Sequence, residues 1–117
     1  MARKIETHYL YRQAVKFNLL GELNDIHTAC RIENETNNAQ FNANRIARAI
    51  RGTLALCDEL EASGPTQARV IQALSHAEEH EEQCRMAARV AYDVHQTARA
   101  AYDEAYKAAP TPSSLTN

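Results

Sequence analysis

Residues 65–109 constrain this chain more than any other stretch, because an apolar seam runs through them without losing step. Strides of four and three from Val70 give Leu74, Ala77, Glu81, Cys84, Ala88, Ala91, His95, Ala98, Tyr102, Ala105 and Ala109. A mean spacing of about 3.5 residues is the heptad of one helix lying along another. Only Glu81 and His95 interrupt the seam, and its alanines allow close approach of the two backbones. No Gly or Pro falls between Pro65 and Pro110, so nothing local stops the helix before the latter.

The rest of the chain must supply what this helix packs against. Residues 4–33 fit a helix with Ile5, Tyr9, Leu19, Leu23, Ile26 and Cys30 on one face, interrupted by Arg12 and Lys16. Residues 5–17 also alternate as a strand would, and in that reading Gly21 marks a break after Asn18. Asn34, Asn37 and Asn38 predict a tight turn, since asparagine favours turns and caps over helix interiors. A second helix over 38–62 presents Ala39, Ala43, Ile46, Ile50, Thr53, Cys57 and Leu60, and Ser63-Gly64-Pro65 ends it. The fold class is all-α: an up-down-up three-helix bundle, or an elongated helical hairpin, with a long C-terminal helix. Residues 1–109 form a single domain, and 110–117, with two of the three prolines, are read as a flexible tail.

Lengths carry the functional expectation. The third helix spans about 67 Å and the second about 37 Å at 1.5 Å per residue, so the third is expected to overshoot its partners beyond Tyr92. A second apolar row of Ala87, Val90, Val94, Thr97, Ala101 and Ala108 runs beside the main seam there. Val90, Val94, Ala98, Ala101, Tyr102 and Ala105 are therefore the expected contact residues for another protein or a second copy. The expected role is a non-enzymatic adaptor, regulator or inhibitor, with no cofactor.

A second candidate surface is Phe41 with Arg45, Arg48 and Arg51, none of which has an acid three or four residues away. It suits phosphates of a nucleic acid or an acidic partner, unless acids such as Glu22 or Glu33 pair with the arginines across the fold. The formal charge of −2 argues against general nucleic-acid binding.

For metals, a turn near residue 36 places Cys84 level with His27 and Cys30. His27, Cys30, His80 and Cys84 would then make a two-thiolate, two-imidazole zinc set, against the simpler reading of the thiols as small apolar seam residues. His76-Ala77-Glu78-Glu79-His80 resembles the signature of inverted zinc peptidases, but over five residues only and without the distant third ligand. The second helix has no His and the chain no Glu-x-x-His pair, which excludes the di-iron centre of hemerythrin-like and ferritin-like proteins. Arg89 with His95 resembles the Arg-His pair of the HEPN ribonucleases, yet Arg3 with His8 and Arg69 with His76 fit the same loose pattern. Neither a phosphate loop nor a nucleophile beside a base is present. Three cysteines suit a reducing, cytoplasmic setting, and neither a signal peptide nor a membrane span is expected.

Overall fold

The structure, a computed structural model, describes residues 2–61 and 64–109, with the side chains of residues 2–8 outside the description. It is all-α, as expected: α1 is Ala2–Phe17, α2 is Leu20–Glu59 and α3 is Pro65–Ala108, of 16, 40 and 44 residues. No strand occurs among the described residues, so residues 5–17 take the helical reading. The expected tail at 110–117 lies outside the described residues.

The first chain reversal is not at Asn34–Asn38 but at Asn18, between α1 and α2. Asn18 has φ 61°, its N–H donates to the Val15 carbonyl, and the Leu19 N–H donates to the Ala14 carbonyl at 2.6 Å. This pair of bonds is the Schellman closure, which places one left-handed residue just past the helix; Asn tolerates that conformation better than other side-chain-bearing residues. Ala14 and Leu19, the residues it ties together, are both buried in one core. Leu19 then opens α2 by accepting the Leu23 N–H.

α2 passes through Asn34, Asn37 and Asn38 because all three point to solvent. The positions turned inward keep the stride through Ile26, Cys30, Glu33, Thr36, Gln40, Ala43, Ala47, Ile50, Leu54 and Cys57. Three exposed asparagines cost a helix only about 0.7 kcal/mol each, too little to break one held by packing on both sides. The seam expected for this region is thereby corrected. Ala43, Ile50 and Cys57 face inward, but Ala39, Ile46, Thr53 and Leu60 are exposed.

The second reversal is also rearranged. Glu61, not the glycine, takes the left-handed conformation that ends α2, with φ 54° and its N–H on the Asp58 carbonyl. Gly64, with φ 73°, starts the next helix by accepting the Ala68 N–H, and Pro65 fills the first helical position as expected.

The chain forms two compact units, residues 1–32 with 91–117, and residues 33–90. In the first, Ala14, Leu19, Leu23 and Tyr102 are buried, with Phe17, Ile26 and Ala105 against them. Gln13 meets Tyr102 and Phe17 meets Tyr106, so α1 runs parallel to this part of α3. In the second unit α2 and α3 run antiparallel as a hairpin. Gln67 Nε2 donates to Asp58 Oδ1 at 2.9 Å, Arg51 to Glu78 at 3.0 Å, and Asn44 Nδ2 to Glu81 Oε2 at 2.5 Å. Its buried residues are Ala43, Ala47, Cys57 and Ala88.

A candidate partner-binding surface

Every residue of the seam expected on α3, from Val70 to Ala109, is buried or half-buried, Glu81 and His95 included. Glu81 is tolerated there because Asn44 donates to one carboxylate oxygen and Arg51 lies 3.5 Å from the other.

The six expected contact residues divide. Tyr102 is 6% exposed and packs with Ala14, Leu19 and Leu23, while Ala98 and Ala105 are half-buried. The expectation that α3 outruns its partners beyond Tyr92 is therefore corrected: α2 has 40 residues instead of the anticipated 25 or so, and α1 and α2 already cover this end of α3. Exposed residues of the second row remain. In the first unit these are Val94, 52% exposed, with Thr97, Ala101 and Ala108. Val90, in the second unit, is 62% exposed.

Tyr102 belongs to the interior of the first unit, where its O–H donates to Gln13 Oε1 at 2.7 Å. Burial is the main cause that raises its phenol above the ordinary value, and Tyr106, Asp103, Tyr9 and Glu22 add to it by disfavouring a negative oxygen. Glu22 Oε2 is buried without a hydrogen-bond partner.

On α2, Phe41 is 64% exposed, and the Arg45 guanidinium lies over its ring, 6.0 Å from the centroid. Asn42, Arg45, Ile46 and Ala49 line a shallow recess of about 490 Å³ on this face. Arg48 is exposed. Arg51 leaves the set, since it bonds Glu78 and Glu81, and the Glu78 bond foremost holds its guanidinium pKa above the ordinary value. The acids that neutralise it are thus on α3, not the suggested Glu22 or Glu33. The antiparallel pairing of α2 with α3 could have led to them, because it brings residues near 78 level with residue 51. Arg85 pairs within its own helix with Glu82, and that hydrogen bond holds the carboxyl low and the guanidinium high.

His80 Nε2 lies 3.5 Å from Cys84 Sγ, one turn along α3. His27 is exposed and Cys30 half-buried on α2. Bringing these pairs level requires a turn near residue 36, and α2 has none there. Among the described residues no three His, Cys, Asp or Glu side chains are grouped to hold a metal ion. No described helix is long and apolar enough to cross a membrane.

Comparison with known protein families, with characterised proteins and with solved structures returns no match.

Proposed function

We propose that this protein acts without catalysis, by docking a helix of a partner protein on the outer face of α3. The observation that carries this reading is the exposed row at heptad spacing, Val94, Thr97 and Ala101, beside a seam that the chain already uses internally. A helix needs one apolar stripe to pack within its own fold, and a second stripe at the same period is the surface another helix would seat in. The three thiols, none of them in a disulfide, fit a reducing cytoplasm.

The test changes Val94 and Ala101 to Asp. Both are exposed, so circular dichroism is expected to stay unchanged, while the complex seen by light scattering with the wild type dissociates. A wild-type chain that stays monomeric and retains no host protein overturns the reading.

Phe41 with Arg45 and Arg48 favours a second reading, in which an anionic partner, a nucleic acid or an acidic protein surface, meets that face of α2. Stacking on an exposed ring and contact with two guanidinium groups would be shared by single-stranded nucleic acids. Retention on nucleic acid at low salt, lost in R45E/R48E and weakened steeply by salt, is the expected result. Absence of retention at low salt removes it.

A further inference from the structure

The outer face of α3 carries two opposite charges placed symmetrically about Ala100. Asp93 and Lys107 lie seven residues to either side of Ala100, on the same flank of the Val94–Thr97–Ala101 row. Both are exposed, and among the described residues neither has an ion-pair partner. Resting on the docking reading above, we infer that a second copy of this chain pairs antiparallel along residues 93–107 of α3.

Direction follows from charge. In an antiparallel pair centred on Ala100, Asp93 meets the partner's Lys107 and Lys107 meets the partner's Asp93, so two opposite-sign contacts flank the seam. Seam positions of an antiparallel heptad pair meet about two residues off the level of the flanking ones, so Ala101 packs against the partner's Thr97, and Val94 against the aliphatic stem of the partner's Glu104. A parallel pair would set Asp93 level with the partner's Asp93 and Lys107 level with the partner's Lys107, and gain nothing from either. At the centre Thr97, Ala100 and Ala101 are small, exposed and unbranched or short, which lets the two helices approach closely.

Fifteen residues of helix span about 22 Å, so the contact is smaller than the roughly 1,200 Å² of a stable interface. The dimer is accordingly weak and forms at submillimolar concentration. Sedimentation equilibrium of the full chain is expected to show reversible dimerisation there. D93K and K107D should each weaken association about ten-fold or more, because each turns both flanking contacts into like-charge ones. An equimolar mixture of the two variants should regain the dimer, with one chain of each kind, since each then offers a single sign to the other. Both positions are exposed, and recovery in the mixture also shows that both variants are folded. A monomeric wild type, a dimer that D93K leaves intact, or a mixture that stays monomeric overturns the pairing. A host protein held by the wild type and lost on V94D would, in those cases, keep the docking reading alive without it.

Discussion

The two units share α2 and α3, the first adds α1, and each is stabilised internally by different means. In residues 1–32 with 91–117, Leu19, Leu23 and Tyr102 are buried against Phe17 and Ile26, and all five tyrosines of the chain lie in this unit. In residues 33–90 the buried positions are Ala43, Ala47, Cys57 and Ala88, with polar cross-links from Asn44, Arg51 and Asp58 to α3. A buried leucine contributes about 1.5–3 kcal/mol and an alanine methyl about 0.8 kcal/mol. The first unit is thus stabilised by large side chains converging from three helical segments. The second buries small side chains between two, and its polar pairs across the helices set which residues lie level.

The largest expected effect tests this contrast directly. Leu23, 2% exposed, should cost about 2–5 kcal/mol on change to Ala, while half-buried Leu54 in the second unit should cost less when changed likewise. Hydrogen exchange read unit by unit would check it, and equal losses would break the comparison. Next comes overpacking of the alanine seam. Ala47 is fully buried, so A47L should destabilise the second unit by about 1–3 kcal/mol, whereas A49L, on the exposed side, should leave it near the wild type. A tolerated A47L would mean that the two helices there are not closely approached.

The contrast also explains which parts of the fold were legible in the sequence. The α3 seam was readable to the residue because its period is unbroken for eleven turns and carries its own internal test: polar Glu81 and His95 occur at seam positions and are half-buried as such. A break after Asn18 enters only as part of the strand reading, and the helical reading moves the α1–α2 break to Asn34–Asn38, because a turn signal is local and its outcome is not. Asn18 and the run Asn34, Asn37, Asn38 have the same propensity, yet Asn18 closes a helix whose flanks Ala14 and Leu19 are buried together, and the others sit on a solvent face. Following the inward stride through Glu33, Thr36 and Gln40 would have revealed this, but those residues are polar and so read as an interruption. The α2 face slipped by one position for a related reason: Ile46 is larger than Ala47, and hydrophobicity chose it, whereas a close helix pair buries the smaller residue. For the candidate surface, periodicity identified the row at Val94 and Ala101 but could not show that Tyr102 was already used by α1 and α2.

The smallest expected effect concerns the polar group buried in the first unit. Y102F removes the bond to Gln13, worth about 0.5–1.5 kcal/mol, and keeps the ring that packs on Leu19 and Leu23. Its diagnostic part is the pH dependence. The Tyr102 phenol is raised in the folded chain, chiefly by burial, so the folded state favours the neutral form. Its contribution is fully present below the unfolded value of about 10 and is lost as pH rises through the folded value. Urea unfolding followed by tyrosine-independent circular dichroism should show the wild type ahead of Y102F near neutral pH, with the gap narrowing above about pH 10. Residues 33–90 contain no tyrosine, so the extra alkaline loss of the wild type should appear in hydrogen exchange of the first unit alone. A gap that stays constant through the alkaline range would show that the phenol ionises in place without cost, and that the first unit is looser around Tyr102 than its burial states.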